Sequence, residues 1–284
     1  MSTPLTILVL GIAYALLFLL ERALPLRQPK ERLLPRLLVN VVISATAFAA
    51  AAAVVWPTAG AMLDITTAKS FGLIPLVGLT GVFEALAAFL LLDLSFYYWH
   101  VANHRVALLW RFHNVHHIDP DLDVSTAFRF HFVEVGLSAG FRAAQVLLIG
   151  PSLMAFLIYE VAFQLGTLFH HSNVRMPLAV ERNLNLVFVT PRMHGIHHSD
   201  IREENRTNFG VVFPWWDRLH RTLRLAVPQA HVTIGIPGYS EPRDNAILHA
   251  LVMPFRPQHD YWRGPQGQRL HREPQLSNAE GRLA

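Results

Sequence analysis

A chain of 284 residues would fill one or two domains, but 52% hydrophobic against 15% charged residues and a mean hydropathy of +0.31 exclude an ordinary soluble fold. With no cysteine, disulfides, iron–sulfur clusters, thiolate-ligated haem and Cys-type zinc sites are excluded as well; a metal would need nitrogen or oxygen donors, and sixteen histidines are available. The formal charge of +4 comes from Lys and Arg that accompany apolar spans rather than a basic, aromatic-bearing groove, which argues for membrane topology and against a nucleic-acid partner.

Pro4 to Leu20 is apolar and uncharged, close to the ~20 residues a helix needs to cross ~30 Å of hydrocarbon. Glu21-Arg22 follows where a cleavage site would want small residues, so this is a retained span rather than a signal peptide. Leu37 to Trp56 is a second span that Pro57 should end. The connector between the two holds Arg22, Arg27, Lys30, Arg32 and Arg36, whereas Pro57 to Ser70 has only Lys69 against Asp64; the positive-inside rule makes the first connector cytoplasmic. A third apolar region, Phe71 to Leu92, runs without a turn signal into Tyr97, Tyr98 and Trp99 and returns to the cytoplasm. Phe132 to Ile149, Gly150-Pro151 and Ser152 to Phe169 read as a membrane hairpin turned by Gly-Pro. Beyond His171 the chain is mixed and polar, and from about 263 its Gln, Arg and Pro content predicts disorder.

This topology places His100/His104, His113/His116/His117, His170/His171 and His194/His197/His198 on one cytoplasmic side. Residues three and four apart share a helix face, so His100 and His104 can serve one metal from one turn. In His113-Asn-Val-His116-His117 and His194-Gly-Ile-His197-His198 the first and third histidines share a face while the second points ~100° away. Each triplet can therefore serve two metals. Lone histidines on apolar faces are usually hydrogen-bonded core residues, the reading assigned to His220, His231, His249, His259 and His271. Ten imidazoles in four groups without metal or proton would instead leave buried nitrogens unsatisfied, and they exceed the needs of one catalytic zinc. They suit a two-metal centre with open positions.

The order and spacing of these blocks resemble the fatty acid hydroxylase and sterol desaturase superfamily, in its bacterial branch, over about residues 90 to 222. The blocks run from Asp93 to His100-Val-Ala-Asn-His104-Arg105, then Leu109 to His117, Arg129-Phe-His131-Phe-Val-Glu134, Phe169 to Asn173, Thr190 to Ser199, Asn208-Phe-Gly210 and Trp216-Asp217-Arg218-Leu219. Relatives often carry Arg where this chain has Val101, and Phe-Gly where it has His220-Arg221; neither departure touches a proposed ligand. The resemblance implies an all-α integral membrane protein: a short transmembrane helical bundle under a mostly helical cytoplasmic cap that holds a histidine-rich di-metal site. The organisation expected is spans and connectors over 1–92, a catalytic region over 93–222 that includes the hairpin 132–169, and a C-terminal cytoplasmic extension over 223–284. It further implies two iron ions, with zinc compatible in purified samples, and O2-dependent hydroxylation or desaturation of a lipid entering from the inner leaflet of a bacterial inner membrane. Between His170 and His171 it favours His171, which precedes Ser-Asn as in relatives.

Around the ligands, Asp93 is a candidate to orient an imidazole through its second N–H, or to cap a span. Glu160 and Gln164 share a stripe with His171 in an apolar span, where an acid is a functional candidate by default. His131 and Glu134 sit together at the hairpin's entry, and Asn208 and Asp217 are candidates for supporting the ligands. No nucleotide or flavin fingerprint is present, so electrons would come from a separate reductase or ferredoxin. A histidine-lined metal or proton transporter is the alternative; it wants ionisable residues at mid-bilayer in several spans, and only Glu160 and Arg142 look deep.

Overall fold

The structure is a computed structural model and describes residues 4–272. Among them there is no strand, only isolated bridges, and five helical segments are long and apolar enough to cross a membrane. The fold is all-α, as the sequence predicts.

Helix α1 (Pro4–Ala23) turns Leu5, Ile7, Leu8, Ile12, Leu16 and Leu19 outward, and only Glu21 is buried. That outer face suits lipid, while Tyr14, Leu17 and Phe18 pack against the buried Val124, Ala127 and Leu168. Its end is tied down: Glu21 Oε2 accepts the N–H groups of Val124 and Asn173 at 3.0 and 2.8 Å.

The second span departs from expectation. Helix α2 (Leu33–Ala50) passes through a π-turn (Ala51–Val55) directly into α3 (Trp56–Lys69), so Pro57 does not end it. Proline normally breaks a helix because its ring meets a carbonyl of the preceding turn and it donates no hydrogen bond. The π-turn immediately before Pro57 shifts the hydrogen-bond register there and makes room for the ring. The chain turns only at Ser70, whose φ of 48° closes α3.

After the short α4 (Leu73–Leu76), α5 (Gly81–Arg105) runs unbroken from the apolar region through Trp99 to His104. Helix α6 (Ala107–His117) follows at once. The hairpin is α7 (Phe132–Ile149) and α8 (Leu153–His171), turned at Gly150, whose φ of 66° needs glycine. Gly72 crosses it so closely that a Cβ on either would overlap the other's backbone. Ala59, Leu63, Ala88, Leu92, Val146, Phe156 and Tyr159 knit α3, α5, α7 and α8 into one core.

The cap contains α9 (Leu178–Leu184), α10 (Pro191–His197), α11 (Arg202–Asn205), α12 (Trp215–His220) and α13 (Ile247–Val252). It is bolted to α2 by a buried network. Arg36 donates to both oxygens of Asp119 at 2.6 and 2.9 Å and to Asp123 at 2.7 Å, Asn40 donates to Asp119 at 3.0 Å, and Arg129 donates to Asn40 at 2.7 Å. The expected disorder from about 263 does not begin there. Arg263 ties back to Asp260 and Gly267, and Arg272 donates to both oxygens of the buried Glu204 at 2.6 and 2.8 Å. Residues 273–284 lie outside the described residues.

Candidate metal centre

Nine histidines meet in two groups. His100 and His104 from the last turns of α5, His113 and His117 from α6 and His197 from α10 form one; His116 from α6, His171 from α8, and His194 and His198 from α10 and its cap form the other. All nine are buried, and within each group one donor atom per residue lies within 4.8 Å of the others. Both triplets divide by helical geometry: first and third histidines join one group and the middle one joins the other. Rings of His117 and His198, one from each triplet, stack at 4.2 Å.

The groups differ in how their outer nitrogens are held. In the first, Nδ1 of His100 faces the Phe209 carbonyl at 2.8 Å, that of His104 the Asn205 Oδ1 at 3.0 Å, that of His113 Glu134 at 2.7 Å and that of His197 the Thr207 carbonyl at 2.7 Å. An Nδ1–H donated to each acceptor leaves Nε2 as a bare lone pair, and the Nε2 atoms of His104, His113, His117 and His197 are buried without a partner. Converging lone pairs repel unless a cation lies between them, so this group fits a metal. His117 is the exception in tautomer, since its Nδ1 lies 3.2 Å from Asn205 Nδ2, a donor already committed to the His197 carbonyl at 3.0 Å. In the second group the Nε2 atoms are 3.1 Å (His171 to His116), 3.0 Å (His194 to His171) and 3.1 Å (His198 to His194) apart. Neighbouring ligands on one metal with ~2.1 Å bonds would sit about 3.0–3.4 Å apart, the same spacing.

Burial, and then the neighbouring imidazoles, hold His116, His117, His194, His197 and His198 well below the usual histidine range. The cap contributes neutral imidazoles, the form that binds metal.

His170 stands outside both groups, with Nδ1 3.1 Å from the Val211 carbonyl. Asp93 reaches no imidazole: it accepts the amides of Val212 and Phe213 and, at 2.7 Å, the indole N–H of Trp216. It fixes a cap loop to α5 instead. Glu134 does hold one of the nine imidazoles, His113. His131 caps α7 and meets the Leu251 carbonyl. Glu160 pairs with Arg142 across the hairpin at 3.0 Å, and Gln164 beside it is half-buried. Asn208, at φ 58°, braces the carbonyls of Met193 and Arg224. Asp217 accepts the amides of Phe209 and Gly210 and so positions the carbonyl that receives His100. Of the five histidines read as core residues, His220 bridges Tyr98 and the Trp216 carbonyl, and His249 lies 3.5 Å from Asp244. The other three, His231, His259 and His271, are exposed, because the C-terminal segment lies over the cap as surface chain.

Asn205 was not singled out by sequence, yet it touches His104, His117 and the His197 backbone. Its one signal was its place seven residues after His198. Phe209 and Thr207 act through backbone carbonyls, which carry no side-chain signature.

The fatty acid hydroxylase family model matches residues 85–222. Ornithine lipid hydroxylase OlsE of Rhizobium tropici is 31% identical over 173 residues, 61% of this chain and 50% of the relative. Human alkylglycerol monooxygenase is 31% identical over 139 residues, 48% of this chain and 29% of the relative; human cholesterol 25-hydroxylase is 30% identical over 140 residues, 48% and 50%. The chain thus spans about half the length, or less, of these relatives. No solved structure matches. Residues 85–222, which match the fatty acid hydroxylase family model, hold all nine converging histidines in the order the motif blocks require, so this stretch of the chain is a fatty acid hydroxylase domain.

Proposed function

We propose that the protein is a membrane-bound oxygenase that uses O2 and external electrons to hydroxylate a lipid, with desaturation of the same kind of carbon as the second outcome. The observation that carries this reading is the pair of buried imidazole groups at the ends of two membrane helices, α5 and α8. Two iron ions would be held by His100, His104, His113, His117 and His197 and by His116, His171, His194 and His198. When bound, they supply O2 activation, which protein side chains alone do not. The protein's part is positional. Asn205, Glu134 and the carbonyls of Phe209 and Thr207 fix the imidazoles, burial excludes water, and the apolar helices bring an acyl or ring carbon to the site from the leaflet.

The relatives' names cover an ornithine lipid, an alkylglycerol and cholesterol. These share membrane residence rather than a headgroup, which supports a lipid substrate as a class and hydroxylation over desaturation. The electron donor is a separate reductase or ferredoxin. A transporter gains no support, because Arg142 and Glu160 neutralise each other within the hairpin. Anaerobically purified protein given a reductant, a donor chain and membrane lipid extract should consume O2 and yield lipid heavier by one oxygen. Metal-loaded protein that leaves every lipid unchanged would overturn the reading.

The site faces the cytoplasm of a bacterial inner membrane, by the charge of the connector from Arg22 to Arg36. A reporter fused after Ala284 should be active only as a cytoplasmic fusion; alkaline phosphatase activity there would reverse the orientation and remove the reductant supply with it.

A further inference from the structure

The two groups of histidines are unequally supported. In the five-histidine group four of the five outer nitrogens face an acceptor: Phe209, Asn205, Glu134 and Thr207. In the four-histidine group one does, His171 to the Thr167 carbonyl at 2.8 Å. The Nδ1 atoms of His116, His194 and His198 are buried with no partner at all. An acceptor on the outer N–H orients the ring and raises its basicity, so three of these four ligands lack what four of the other five have.

The empty-handed state of the groups differs too. With the Nδ1–H groups of His100, His104, His113 and His197 committed outward, the five-histidine group has four lone pairs pointing inward, and removing a cation leaves them opposed. The four-histidine group has an alternative: its Nε2 atoms lie at hydrogen-bonding distance, 3.0–3.1 Å, in a chain from His116 through His171 and His194 to His198. With its Nδ1–H committed to the Thr167 carbonyl, His171 presents a bare Nε2 to which His116 or His194 can donate an Nε2–H, and a metal must break that bond to enter.

Resting on the two-metal reading above, we infer that the two positions hold metal unequally: the five-histidine position keeps its ion, and the four-histidine position is the labile, exchangeable one. Loss of an outer partner typically lowers metal affinity ~10–100-fold, so the two equivalents should separate by about tenfold or more in the chelator concentration that removes them.

The full-length protein, loaded anaerobically with Fe(II) and in parallel with Zn(II), is titrated with a graded chelator series while bound metal per chain is measured. Two steps are expected, one equivalent each. His198→Ala should delete the early step and leave the late one in place, and His104→Ala should delete the late step. Asn205→Ala, which removes an acceptor without removing a ligand, should move the late step toward the early one. Wild-type protein that releases both equivalents in a single step overturns the inference whether or not the variants fold. So does retention of the late step in His104→Ala. Protein that never takes up a second equivalent instead overturns the two-metal reading itself, a distinguishable result.

Discussion

His197→Ala is expected to lose lipid turnover by more than the ~100-fold that the loss of a supporting partner costs, together with about one equivalent of metal. His197 is fully buried, its Nδ1 is anchored on the Thr207 carbonyl at 2.7 Å, and its ring lies 4.6 and 4.5 Å from those of His100 and His104. It alone brings α10 into the five-histidine group, so alanine opens that group on one side and frees the Thr207 carbonyl. Turnover and metal content are measured together, with helical content as the control for folding. His249→Ala and His271→Ala, altering residues outside both groups, should be nearly silent. Full metal with full turnover in the His197 variant would remove it from the ligand set.

The second large effect is on stability. Asp119→Ala should cost about 3–5 kcal/mol, the loss expected when one member of a buried ion-pair network is removed and its partner stays charged. Asp119 is fully buried and takes two hydrogen bonds from Arg36, one from Asn40 and one from Thr126. Its removal leaves Arg36 with Asp123 as its remaining carboxylate partner and Arg129 without its nearest carboxylate. Thermal unfolding in detergent reads the change, and wild-type stability in the variant would show that the network is not what holds the cap. The same network sets an acid limit. Burial raises the Asp123 carboxyl, but Arg36 and the Ser125 hydrogen bonds outweigh it and hold the group at about 2, against an unfolded value of about 3.9. A depressed carboxylate contributes stability that is complete above its unfolded value and lost as the pH falls through its folded one. Stability should therefore decline from roughly pH 4 toward pH 2.

What the sequence disclosed and what it hid follow from physics at particular residues. The division of His113, His116 and His117 between two groups was legible because helical periodicity alone decides it. So was the shared side of α5 and α8, since charge and hydropathy set topology. Pro57 misled because a π-turn depends on a shift of hydrogen-bond register that composition does not encode. Asp93 was placed on the right helix, but its partners are amides of Val212 and Phe213 and the Trp216 indole, more than a hundred residues away. The tail from 263 read as disordered by composition, and a single buried partner, Glu204, holds Arg272 in place.

The unbroken passage through Pro57 also fixes a length. Segments of 18, 5 and 14 residues in succession at ~1.5 Å per residue make a helix of about 55 Å, far longer than the ~30 Å that a crossing of hydrocarbon needs. Its first two turns lie against the cap, where Arg36 and Asn40 are clamped. The far end closes against the hairpin turn at Gly150. One continuous helical rod, held at both ends, thus sets the separation between the clamp on the cap and the turn of the hairpin.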